Sequence, residues 1–246
     1  MAAIITGDTK KAEPALTCER KFVSDRVPAS SVVAVLSAWC IPDGQYPIGE
    51  LESIYFDDTL LSSYREKING DALKRKVRIR WYRNGRKSAS GLVPSFLELK
   101  DRIGAARDKA RFCFEAPVDD LEDRPLCDPW YAELLREQAA RAGFAISPQL
   151  VPSVAIRYRR HRFVCPVTLS RISVDYCVVC TRGNSALFNC PQRFSDMRLG
   201  LTICEGKSPT VRSWPFSGSL AQLGMRLESF SKYGYFIDRI LQGGLT

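Results

Sequence analysis

The sequence predicts an α+β fold, an antiparallel β-barrel of about eight strands, closed or nearly so, with helices packed outside it. Three observations predict it. Eight stretches of the 246-residue chain read as strands: 17–23, 52–57, 74–83, 95–100, 108–116, 153–164, 167–181 and 199–207. The helical stretches are fewer and are not regularly interleaved with them, which argues against a doubly wound parallel sheet. In "KVRIRW", Lys76, Arg78 and Arg80 alternate with Val77, Ile79 and Trp81. Successive side chains of a strand point to opposite faces, so three cations share one face and three large apolar groups the other.

Residues 1–16 read as a flexible lead-in, and 17–246 as one domain, because no linker or repeat divides them. "ERKF" opens the first strand with Glu19 and Lys21 on one face. "VPASSVVAVLSAWC" (27–40) is a helix with Pro28 in its first turn. The strand at 52–57 and the cationic stripe follow; Arg83 and Arg86, in the turn "RNGRK", read as exposed charges beyond the stripe. "FLELK" places Glu98 beside Lys100, and "KARF" places Lys109 beside Arg111. "DPWYAELLREQAARAG" (128–143) is a helix, with Asp128 as N-cap, Pro129 at the first position and Gly143 as its stop. "YRRHRF" offers Arg160; "RISVD" puts Arg171, Ser173 and Asp175 on one face; "CEGK" pairs Glu205 with Lys207. A last helix spans 229–241.

A solvated strand face explains any one of these pairs. Their recurrence in several strands, backed by large apolar residues, favours a sheet closed with its charges inside and helices outside. Buried cations without partners are very costly, so such a lumen calls for a bound polyanion. The balance of 36 Lys and Arg against 27 Asp and Glu, a formal charge of +9, points the same way. The nine cysteines are scattered with a single CxxC, Cys177 and Cys180, and read as free thiols rather than a zinc site or a disulfide network. One histidine, His161, makes histidine-based catalysis a poor expectation. No stretch is long and apolar enough to span a bilayer and the N-terminus lacks signal-peptide character, so the expectation is a cytoplasmic protein without direct membrane insertion.

"ERKF", "SIYFDD", "KVRIRWY", "FLELK", "YRRHRF", "RISVD", "CEGK" and "SKYGYF" occur in the order seen in the VTC domain, and the chain resembles that family over about residues 17–241. The VTC domain is the polyphosphate polymerase branch of the CYTH, or triphosphate tunnel metalloenzyme, superfamily. The resemblance implies a basic tunnel in which the γ-phosphate of ATP passes to a growing polyphosphate chain with Mn²⁺ or Mg²⁺. Phosphate binding would then fall to Lys21, Arg78, Arg80, Lys100, Lys109, Arg160, Arg171 and Lys207. Lys76 joins them from the stripe, and Ser231 and Lys232 match the "SK" at the tunnel end. Arg78, Arg80, Arg160, Arg171 and Glu205 would carry the catalysis. Glu205 matches the metal-binding carboxylate, with Glu19 and Glu98 as weaker metal candidates.

Two positions depart from the superfamily pattern. Thr17 stands where hydrolase and cyclase relatives carry the first glutamate of E-x-E-x-K, which favours the polymerase branch. Gly206 stands where a larger apolar residue is usual. The implied partners are ATP, polyphosphate, pyrophosphate and triphosphate, with a membrane protein as a possible further one and no nucleic acid. The alternatives are a metal-dependent triphosphatase and a non-catalytic module for polyphosphate or inositol phosphates. A nucleic-acid surface would need Trp81, Tyr82, Tyr158 and Phe163 as a stacking platform.

Overall fold

The computed structural model describes residues 18–243, apart from 72, 84, 86, 87, 89, 104, 105 and 209–212. Thr17, Arg86 and the lead-in therefore lie outside the described residues. In chain order the elements are β1 (Cys18–Ser24), α1 (Ala29–Trp39), β2 (Ile41–Pro42), β3 (Ile48–Asp57), α2 (Ser62–Ile68), β4 (Leu73–Tyr82), β5 (Leu92–Ile103) and β6 (Ala106–Pro117). There follow α3 (Val118–Asp123), α4 (Trp130–Ala142), β7 (Val151–Val164), β8 (Arg171–Gly183), β9 (Arg198–Leu199), β10 (Thr202–Ser208), α5 (Ser217–Gln222), β11 (Arg226–Leu227) and α6 (Lys232–Leu241).

All strands join one antiparallel sheet in the order β11-β1-β10-β8-β7-β3-β4-β5-β6, with β2 added to β7 and β9 to β8. This corrects the expected barrel of about eight strands. Among the described residues there are eleven strands, and no hydrogen-bonded ladder joins β6 to β1 or β11. Three of the eleven are two-residue strands, too short for a period-two pattern to show in the sequence. The open sheet is nevertheless strongly curled. Strands β1 and β5 stand six steps apart in the sheet, which would be about 29 Å if it were flat. Yet Lys100 of β5 and Glu19 of β1 form an ion pair of 3.2 Å. The curl turns one face into a concave channel.

The apolar half of the stripe faces outward. Val77, Ile79 and Trp81 are buried with Leu121 of α3 and Tyr131 and Leu135 of α4. On another part of the wall, Val32 and Leu36 of α1 and Leu220 of α5 cover Phe22, Ile172, Val174 and Cys204. Helix α6 covers the channel side: Tyr233, Phe236, Ile237 and Ile240, spaced along one helical face, pack with Tyr55, Ile156, Tyr158 and Ile203. The α4 start shifts by one residue from expectation, yet Asp128 still accepts a hydrogen bond from the Trp130 N–H at 2.9 Å, and Gly143 ends the helix with φ of 66°. Among the described residues no helix is long and apolar enough to cross a membrane.

Candidate functional site

The period-two register gathers the charges. Arg78 and Arg80 stand opposite Tyr55 and Ser53 of β3, and Arg78 and Lys76 stand opposite Glu98 and Lys100 of β5. Directly opposed residues share a face of the sheet. The resulting cavity of about 170 Å³ is lined by Lys21, Lys76, Arg78, Arg80, Lys100, Lys109, Arg160, Lys207 and Lys232, together with Glu98, Glu205 and Ser231. Twelve of the predicted site residues are thus brought together. Glu19 borders the cavity through its ion pairs with Lys21 at 3.0 Å and Lys100 at 3.2 Å. Arg171 is exposed and lies outside the lining, although it stands opposite Lys207 on the same face.

Nine cations against two carboxylates leave the lining strongly positive, and counting Glu19 and the buried Asp175 still leaves an excess of five. The carboxylates divide into three settings. Glu98 is surrounded by cations: Arg78 at 2.6 Å, and Arg80, Lys109 and Arg111 each at 3.5 Å. Burial opposes its ionisation, but these four hold the carboxyl well below the usual range. Asp175, fully buried, accepts two hydrogen bonds from Arg160 at 2.5 and 2.7 Å and one from Lys232 at 2.5 Å. Burial again opposes ionisation, yet Arg160 and Lys232 bring its value down to about 2. Glu205 lies 3.8 Å from Lys21 and 3.9 Å from Lys207. Against burial, Lys21, Arg160, Lys207 and Lys100 keep it ionised.

Two of these carboxylates suit a divalent cation. Glu19 and Glu205 are both held ionised and both pair with Lys21, so they converge on one positive position. Among the described residues no group of three or more His, Cys, Asp and Glu forms a cage. Mg²⁺ is commonly held by one or two carboxylates with substrate phosphates and water completing the shell. The Glu19–Glu205 pair fits that mode, whereas Glu98, saturated by four cations, is set apart from it.

Several residues of the site carried no predicted role. Asp175 was visible on the face of Arg171, but its partners Arg160 and Lys232 come from other elements. Tyr55 donates no sequence signal beyond strand parity, yet Arg78 donates to its hydroxyl oxygen at 3.1 Å. Burial would raise its pKa, but Arg78, Arg80 and Lys232 lower it to about 8. Tyr158 carries Lys232 4.8 Å from its ring centre and Arg80 at 5.8 Å. Arg83 departs from its expected exposure: it meets Glu52 at 2.9 Å and Glu50 at 3.6 Å on the neighbouring β3, and Glu122 of α3 at 2.8 Å. Gly206 is explained by Trp214: a Cβ there would lie 2.1 Å from its indole ring. The ring supplies the bulk that the residue lacks. Trp81, Tyr158 and Phe163 are buried, so they form no stacking platform.

With this geometry in place, the comparison with known proteins is decisive at the family level: the VTC domain model matches residues 21–238. The chain belongs to the VTC domain family. No curated protein matches this VTC domain. A solved structure from Bacillus halodurans, described as a "putative adenylate cyclase", shares its fold with a TM-score of 0.50 and 12% identity over 89% of this chain and 95% of that one. A second such structure, from Vibrio parahaemolyticus, aligns at a TM-score of 0.43 and 10% identity, covering 88% and 95% of the two chains.

Proposed function

We propose that this VTC domain is a metal-dependent polyphosphate polymerase, which moves the γ-phosphate of ATP onto a growing polyphosphate chain within the channel. The observation that carries the reading is the single cavity in which nine cations from seven elements meet two carboxylates. Phosphoryl transfer depends mainly on positioning and on offsetting charge at the phosphoryl oxygens. Arg78 and Arg80, one strand pitch apart on the same face, would hold consecutive phosphoryl groups, with Arg160 two strands further round the sheet on β7 and against the same Tyr158 ring as Arg80. Their own carboxylates, Glu98 and Asp175, hold the guanidinium groups in orientation before the anion arrives. Lys76 and Ser231 are joined at 3.1 Å, which ties the stripe to the start of α6. Glu205, with Glu19 beside it, would hold Mn²⁺ or Mg²⁺, which offsets charge on the transferred group. No protein nucleophile is required, since a terminal phosphate oxygen of the chain attacks the γ-phosphorus while its bond to the β-phosphate oxygen breaks and ADP leaves.

Incubation with ATP and Mn²⁺, with products run on a polyphosphate-staining gel, tests the proposal. A ladder of chains is the expected result. Release of free phosphate alone would instead establish a triphosphatase using the same residues, and binding without turnover would establish a phosphate-binding module.

A further inference from the structure

The lumen stripe does not stop at Arg160. Arg162 follows it on the same face of β7, about 6.7 Å further along the strand. Its place in the wall is fixed by register: Arg162 stands opposite Ser173, Ser173 opposite Glu205, and Glu205 opposite Lys21. Arg171 occupies the next crosswise row, opposite Lys207. Among the described residues neither Arg162 nor Arg171 forms an ion pair with a carboxylate, unlike Arg78, Arg80, Lys100, Lys109, Arg160 and Lys207. Burial lowers the pKa of Arg162, so its charge carries a desolvation cost.

The surroundings of Arg162 are built to hold its guanidinium. It donates to the Tyr46 carbonyl at 3.0 Å and lies 5.4 Å from the centre of the Tyr82 ring. A Cβ at Gly49 would come within 3.2 Å of its Nη1, so glycine leaves the room it occupies. The acid in this region, Asp43, accepts from the backbone N–H groups of Tyr46 and Gln45 in its own turn; Arg162 and Arg171 act on it only through space.

We infer that Arg162 and Arg171 extend the phosphate track beyond the central cavity, forming a binding position for phosphoryl groups of a chain longer than triphosphate. The inference rests on the polyphosphate reading of the channel and gives it a direction: the polymer occupies the mouth between β7, β8 and the Tyr82 end of β4. A nucleoside carries no charge for these two cations to meet, whereas each further phosphoryl group of a polymer does.

The test compares affinity for tripolyphosphate and for a linear polyphosphate several times longer, by calorimetric titration of the whole chain. Arg162→Met is expected to weaken the long chain about tenfold, equivalent to about 1.4 kcal/mol, and tripolyphosphate markedly less. Arg159→Met removes the same charge from the opposite face of the same strand, where the side chain is 59% exposed, and should leave the length preference in place. Arg171→Met supplies a second readout in the same direction should Arg162→Met fail to fold. Equal losses for both chain lengths, or equal effects of Arg159→Met and Arg162→Met, would overturn the extension. So would a loss for ATP with none for the long chain, which would mark this mouth as the nucleoside end. Failure of the unaltered protein to bind either polyphosphate would instead remove the channel reading on which the inference stands.

Discussion

Glu205 and Glu98 are both ionised carboxylates of the same lumen, but their neighbours give them different tasks. Glu98 is enclosed by Arg78, Arg80, Lys109 and Arg111; Glu205 shares Lys21 with Glu19 and is the carboxylate proposed to take a metal. Glu205→Gln should therefore abolish metal-dependent turnover while sparing tripolyphosphate binding without metal, since the lumen becomes more positive. Normal turnover by that variant would displace the metal site. Tyr55 gives a spectroscopic reporter. Its hydroxyl should ionise near pH 8, and bound triphosphate should shift that ionisation upward by adding negative charge beside Arg78 and Arg80. An ultraviolet titration in which Tyr55→Phe leaves the low phase unchanged would contradict the assignment. At Gly206, substitution by Ala forces a contact with Trp214 and should cost about 1–3 kcal/mol of stability in denaturant unfolding. Residue parity exposed the lumen cations in the sequence, because a period of two needs no knowledge of neighbours. It could not expose the roles of Asp175 or Tyr55, whose partners Lys232 and Arg78 are 57 and 23 residues away.

Helix α6 is the element that ties the site to the fold. Ser231 caps it by accepting from the Gly234 N–H at 3.2 Å, and Lys232 reaches Asp175. Beneath it, buried Asp57 accepts from the Tyr233 hydroxyl at 2.6 Å and from the N–H groups of Asp58, Ser63 and Tyr64 at 2.9–3.1 Å. Asp57→Ala leaves those donors unmet, on the order of 1–3 kcal/mol for each one. It should weaken phosphate binding together with stability, checked by melting and titration of the same preparation. Asp175 sets a pH limit. Its carboxyl titrates near 3.9 in an unfolded chain and near 2 when folded. A depressed value contributes stability present above about pH 4 and lost as the pH falls through 2, so acid unfolding should begin in that window. Asp175→Ala should remove about 3–5 kcal/mol at neutral pH, as expected for breaking a buried pair. The long strands, α1, α4 and α6 were legible from period and capping residues. Helices α2, α3 and α5, of six or seven residues, are too short for a 3.6 period to declare itself.

At the scale of the whole molecule, the alternation of cations with apolar residues becomes a curled sheet with charge within, α1, α3, α4 and α5 on its outer face and α6 on the channel side. The curl was legible because the apolar face needed cover while the charged face needed a partner. Its opening between β6 and β1 was not, since edge pairing depends on where distant strands meet. The most direct measurement is calorimetric titration of tripolyphosphate against four single variants at about 0.15 M salt, where exposed charges are screened beyond about 8 Å. Arg78→Ala and Arg80→Ala each remove a charge-assisted contact of about 1.5–3 kcal/mol, so affinity should fall about ten- to a hundredfold. Arg193→Ala and Arg198→Ala remove exposed outer charges paired with Asp123 and Asp196, and should change affinity less than about threefold. Equal losses at all four positions would mean a diffuse basic surface and would contradict the channel.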